Sequence, residues 1–140
     1  MLKGIPPILS PDLIKALMEM GHGDEIVLAD GNFPAASHAN QLIPAHGHGT
    51  EELLKAILEL FPLDTYVVSP VMLMGTVDGD PCPDIWNRYE EIIKQNSDSQ
   101  FQIEKIDRFD FYTRSRKAYV IVATSERSPY ANIILKKGVL

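Results

Sequence analysis

The stretch Met18-Glu-Met-Gly-His-Gly-Asp-Glu-Ile-Val-Leu-Ala-Asp30 carries a helix end, a displayed histidine, a short strand and a carboxylate at the strand's tip. A helix that hands over to an apolar strand within a few residues is the unit of an α/β domain. Upstream, Ser10 is placed as an N-cap and Pro11 at the first helical position, where its missing N–H has no partner to lose. Leu13, Ile14, Leu17 and Met18 then share one face, as a helix packed on a core requires. Gly21 is expected to stop the helix in a left-handed conformation. His22 follows between two glycines, with no bulky sequence neighbour to bury it. It either points into a cleft or caps the helix C-terminus, where its cationic form meets the negative end of the dipole. Glu25 to Ala29 reads as a strand, and Asp30 stands at its carboxyl end, where open α/β sheets bind ligands. Asp30-Gly-Asn followed by Phe-Pro is equally good turn chemistry.

Working outward, the 140 residues suit one domain over 1–140 with a real core, and 45% hydrophobic with 23% charged residues is ordinary for a soluble globular protein. A net charge of −6, with only Arg114-Ser-Arg-Lys117 as a basic run, argues against nucleic acid as a partner. The one cysteine, Cys82, has no internal partner for a disulfide; it suits a reducing cytoplasm and is read as structural. No signal-like run opens the chain, and the longest apolar stretch, Tyr66 to Met74, is too short to span a bilayer. A cytoplasmic protein with no membrane partner is the expectation.

Gly31 to Asn40 reads as a loop over the site, and Gln41 to Ala45 as a short edge strand, since Pro44 is awkward in a central one. His46-Gly-His-Gly49 is read as a loop. A metal site there needs a third ligand from His22, His38 or a carboxylate, and no recognised ligand spacing supplies one. Thr50 is placed as the N-cap of a second helix with Leu53, Leu54, Ile57, Leu58 and Phe61 on its buried stripe. Thr65 to Ser69 and Val71 to Met74 make one interrupted strand or two, with Met72 and Met74 as core filler. A third helix opens at Pro81, with Ile85, Tyr89, Ile92 and Ile93 in register. Trp86 lies off that stripe, at a rim or a subunit contact, because its N–H wants a partner when buried.

Phe101 to Ile106 alternates like a half-buried strand, and Phe109 to Ser115 is a short helix. Ala118 to Thr124 is the clearest central strand, and Ile133 to Leu135 is the last. Alternating helices and strands predict a three-layer α/β/α sandwich with a largely parallel sheet. His22, Asp30, Arg108, Tyr130 and Asn132 are polar residues at element ends, and together they suggest a small hydrogen-bonding pocket around one group that titrates near neutrality. No phosphate loop, dinucleotide fingerprint, nucleophile elbow or metal signature accompanies them, so cofactor-free proton shuffling on a small polar substrate is expected.

Gly21-His-Gly-Asp-Glu25, Ala29-Asp30, Arg108-Phe-x-Phe-Tyr112, Glu126-Arg-x-x-Tyr130-x-Asn132 and Lys136-Lys-Gly-Val139, in that order, resemble the sugar mutarotase family that contains ribose pyranase and L-fucose mutarotase. Arg108 and the closing Leu-Lys-Lys-Gly-Val resemble its fucose branch; the ribose branch carries a histidine near that arginine's place. The resemblance implies interconversion of the α and β anomers of a free monosaccharide, with His22 as proton donor and Asp30, Arg108, Tyr130, Ala131 and Asn132 as the sugar-binding residues. It also implies a decameric ring with sites near subunit contacts, for which Trp86 and Phe33 are candidate contact residues. The chain departs from the fucose branch at Gly31-Asn32, where that branch carries Ala-His. A ribose pyranase, or a sugar-binding module in which His22 only donates a hydrogen bond, are the competing readings.

Overall fold

A computed structural model describes residues 1–140. Six strands form one sheet, whose order runs from Leu42–Ala45 through Val120–Thr124, Glu25–Ala29, Ile133–Lys136 and Val71–Met74 to Ile103–Ile106. The central strand β1 (Glu25–Ala29) pairs in parallel with β5 (Val120–Thr124), and β5 in parallel with the edge strand β2 (Leu42–Ala45). On the other side, β6 (Ile133–Lys136) runs antiparallel to both β1 and β3 (Val71–Met74), and β3 pairs in parallel with β4 (Ile103–Ile106). The sheet is mostly parallel, as expected, with β6 as the one reversed strand.

Period-two alternation assigns the faces. Ile26, Leu28, Val120, Val122, Ile133 and Leu135 point into a core of 26 buried residues shared with three helices. These are α1 (Pro11–Glu19), α3 (Thr50–Leu58) and α4 (Ile85–Gln95). Val27, Ile121, Ile134, Met72 and Met74 point the other way, toward α2 (Ala35–His38) and α5 (Arg108–Lys117). Both methionines are therefore core filler, and the three-layer sandwich is the observed architecture.

Several local expectations change. Ser10 does cap α1, its Oγ accepting the Leu13 N–H at 3.2 Å, but Gly21 does not end the helix. Met20 turns extended first, and the ammonium of Lys137 takes the free carbonyls of Leu17 and Met20. Gly49, not Thr50, is the N-cap of α3, because the Thr50 side chain is turned inward. The loop after Asp30 contains the short helix α2, and α4 starts at Ile85 rather than Pro81. Thr65 to Ser69 makes no strand, and Cys82 is exposed. Trp86 and Phe33 are both buried within this chain, which leaves little of either side chain at the surface expected of a contact residue.

Candidate functional site

The five parallel strands end at one edge of the sheet, and reversed β6 begins there, so three polar stretches converge. Asp30 follows β1 and Tyr130-Ala131-Asn132 precedes β6, while Asp107-Arg108 follows β4. Asp30 and Asn132 form a reciprocal pair: the Asp30 N–H donates to Asn132 Oδ1 at 2.8 Å and the Asn132 amide donates back to Asp30 Oδ2 at 3.0 Å. Asp30 Oδ1 accepts the Asn32 N–H at 3.0 Å, so the turn expected of Asp-Gly-Asn forms at the carboxyl end of β1. Burial raises the Asp30 carboxyl above its usual range despite those donors, and the nearby negative charge of Glu126 pushes the same way.

Tyr130 stands in the left-handed region at φ +55°, rare for a residue with a side chain. Its hydroxyl donates to the carboxylate of Asp80 and accepts from the Val77 N–H at 3.4 Å. The bond to Asp80 raises its pKa, and the positive charge of Arg108 opposes that rise. Arg108 is exposed, its guanidinium 4.8 Å from the Phe109 ring centre. Glu126 closes this end. Its carboxylate accepts N–H groups from Thr50, Arg127 and Ser128, and its carbonyl accepts the Gly31 N–H at 2.9 Å. Burial raises the Glu126 pKa, but the donors from Ser128 and Thr50 outweigh it and leave it lowered.

His22 is elsewhere. It precedes β1, and at about 3.3 Å per residue the strand separates it from Asp30 by on the order of 20 Å. The cleft shared by His22 and Asp30 that the sequence suggests therefore does not exist within one chain. Nor does His22 cap α1, a task taken by Lys137. Its Nε2 lies 3.1 Å from Oδ1 of Asp64, a buried carboxylate that also accepts the Tyr66 N–H at 3.0 Å. Burial raises the Asp64 pKa, yet the Tyr66 N–H and His22 outweigh it, with Lys136 adding to them, and the group is held below its usual range. An ionised carboxylate only accepts, so Nε2 carries the proton and Nδ1 is left for other chemistry. The imidazole is 45% exposed, tilts over Tyr66 at 5.3 Å, and borders a groove lined by Met18, Leu60, Val139 and Leu140.

Asp64 and Asp80 stand in no motif of the sequence, and Glu126 stands in one only as part of Glu126-Arg-x-x-Tyr130. Gly138 is the one local trace of Asp64's position. A Cβ there would lie 2.5 Å from the Leu63 carbonyl oxygen, so only glycine lets the last strand press against Leu63-Asp64. Of the loop histidines, His48 Nδ1 lies 3.0 Å from Glu52 Oε1, one turn away in sequence, and His46 is exposed.

The chain matches the RbsD / FucU transport protein family over residues 3–140. The fucose mutarotase of Streptococcus pneumoniae, solved in complex with L-fucose, superposes with a TM-score of 0.96 at 57% identity, over 99% of both chains. Among curated relatives, the fucose mutarotase of Homo sapiens is 49% identical over 99% of this chain and 94% of its own. The L-fucose mutarotase of Actinobacillus pleuropneumoniae (serotype 5b, strain L20) is 48% identical over 99% of this chain and 97% of its own.

Proposed function

Because the chain belongs to the RbsD / FucU transport protein family, we propose that it is an L-fucose mutarotase, an isomerase that interconverts the α and β anomers of the free sugar by acid/base ring opening and closing. One observation carries the reading: the backbone likeness to a fucose mutarotase solved with L-fucose extends over the whole chain. The chemistry of the two sheet ends supports it. Opening the ring needs a proton delivered to the ring oxygen while the anomeric hydroxyl gives one up; rotation about C1–C2 and closure then yield the other anomer. Histidine both donates and accepts near neutral pH. Asp64 holds the ring of His22 by Nε2 and leaves Nδ1 to face the sugar. Asp30 keeps acceptor capacity on both carboxylate oxygens after taking the Asn32 and Asn132 donors, which suits hydroxyl recognition. Arg108, Tyr130, Ala131 and Asn132 complete the binding side. No phosphate, metal or nicotinamide is called on.

Both groups are fixed to opposite ends of one rigid strand, so no hinge within the chain brings His22 to a sugar held at Asp30. A second copy must supply it. We therefore place each site between two copies, His22 and Asp64 coming from one and the Asp30 end from its neighbour, in a closed ring. Ten copies is the number that the family resemblance supports. The apolar groove beside His22 supports the same view, since Met18, at 79% exposure, has no cover in the isolated chain. No helix is long and apolar enough to cross a membrane. A lone cysteine fits a cytoplasmic location.

The test is saturation-transfer NMR on L-fucose, irradiating one anomeric proton and observing the other. Accelerated exchange with the wild type that is lost in His22→Ala is the expected result. No acceleration on L-fucose overturns the assignment, and acceleration that survives His22→Ala removes the histidine from its role.

A further inference from the structure

Building on the reading of Tyr130 to Asn132 as the sugar-binding segment, we propose that Trp86 and Tyr89, with Thr50 behind them, are positioning residues that set this segment by gripping two consecutive peptide carbonyls. Trp86 and Tyr89 are three residues apart on α4 and share a face. The indole Nε1–H of Trp86 donates to the Tyr130 carbonyl at 2.8 Å, and the Tyr89 hydroxyl donates to the Ala131 carbonyl at 2.7 Å.

Counting protons gives the grip a direction. Tyr89 and Thr50 own one hydroxyl proton each, and three contacts compete for them: Tyr89 to Ala131, Tyr89 to Thr50 at 2.5 Å, and Thr50 to Glu126 at 3.2 Å. Since a carbonyl cannot donate, the Tyr89 proton goes to Ala131. Two hydroxyl oxygens 2.5 Å apart need a proton between them, so Thr50 donates to Tyr89. Glu126 is left with backbone donors, among them the Thr50 N–H at 3.1 Å. The chain of donors thus runs Thr50 to Tyr89 to the Ala131 carbonyl, from the first residue of α3 through α4 to the segment. Tyr89 and Thr50 are fully buried, so neither hydroxyl has water as a substitute.

The site depends on this grip because of the backbone it holds. Tyr130 is at φ +55°, a conformation that persists only where the surroundings over-determine it. The peptide plane after Tyr130 joins that residue, whose hydroxyl bonds Asp80, to Ala131, and the next plane joins Ala131 to Asn132, the partner of Asp30. The two carbonyls held by α4 belong to those two planes.

The experiment compares Tyr89→Phe, Trp86→Phe, Thr50→Val and Thr50→Ser with the wild type, measuring KM and kcat for L-fucose exchange by NMR and Tm by calorimetry. Loss of one buried hydrogen bond at the segment is expected to raise KM about five- to tenfold. With kcat near that of the wild type, such a change marks lost binding rather than lost chemistry. Thr50→Ser, which keeps the hydroxyl, is expected to restore KM where Thr50→Val does not. Ile93→Val, in the core on the same helix, is the control: Tm falls and KM holds. Tyr89→Phe and Trp86→Phe that lower Tm with KM unchanged overturn the proposal, because the role is then structural only. A wild type that fails to exchange L-fucose overturns the functional reading, and this proposal with it.

Discussion

Two aspartates, both buried, sit near opposite ends of the central strand, and their environments push them in opposite directions. Asp64 is as deeply enclosed as any carboxylate in the chain, yet the Tyr66 N–H, His22 and the charge of Lys136 outweigh burial and hold it ionised. Asp30 has backbone donors and the Asn132 amide, but no cation; burial and the charge of Glu126 prevail and raise it. A carboxylate matched to a cationic partner is suited to orient a proton-transfer group. One matched to neutral donors is suited to read neutral hydroxyls. Under the proposed function, the comparison matches proton transfer to one end of the molecule and recognition to the other, with two copies joining them.

The most severe way to break this division is to disable each end separately. His22→Ala is expected to slow L-fucose exchange by about a hundred- to ten-thousand-fold, the usual worth of general acid–base catalysis, while sugar binding stays measurable. Asp30→Ala is expected to lose binding. Co-assembled from equal amounts of the two inactive variants, a symmetric ring has about a quarter of its sites with both ends intact. Recovered activity on mixing is therefore the signature of a shared site, and its absence after co-refolding breaks the two-copy scheme.

Next in size is the apolar skirt beside His22. Met18→Asp places a carboxylate where the neighbour is expected to pack, and an uncompensated buried charge costs on the order of 3–5 kcal/mol. Sedimentation is expected to show smaller species, with exchange activity falling in step while circular dichroism stays native. Full assembly and activity in this variant move the contact elsewhere.

How much of this was open to a reader of the sequence follows from range. β1, β3 and β5 announce themselves as apolar runs, and Pro44 marks β2 as an edge strand, because composition and period are local. The direction of β6 is not local, and nothing in Ile133-Ile-Leu135 separates parallel from antiparallel pairing. Asp30 and Asn132 were visible singly as polar residues at strand ends, but their pairing spans 102 positions and depends on that reversal. His22 was visible and Asp64 was not, for it is 42 residues away on a stretch that forms no strand. Trp86 shows the limit best: its need for a partner was legible, but the partner, the backbone carbonyl of Tyr130, has no mark of its own.

Gly138 offers a milder perturbation of the same end. Gly138→Ala forces a Cβ against the Leu63 carbonyl and the Asp64 Cα, both backbone atoms that cannot swing aside. Overpacking of this kind costs about 1–3 kcal/mol. Tm is expected to fall, and turnover to fall more than sugar binding, because the displaced residue is His22's partner. Weakened binding with unchanged turnover reverses the assignment of the two ends.

The smallest effect is the sharpest test of the aspartate comparison, because it depends on sign. A carboxyl held below its unfolded value of 3.8 contributes stability that is fully present above that pH and lost as pH falls through the lowered folded value. Wild type minus Asp64→Asn stability is thus expected to shrink on acidification below about pH 4. Asp30 obeys the opposite rule. Its folded pKa is raised above 3.8, so the wild type is favoured while the group is protonated and loses that advantage as pH rises through the interval between the two values. Wild type minus Asp30→Asn stability is expected to grow on acidification, over a constant offset from the two amide groups now facing each other. Urea unfolding at a series of pH values reads both slopes. Parallel slopes would mean that the two carboxylates experience the same balance of charge and burial, and the chemical division between the ends of the sheet would lose its electrostatic basis.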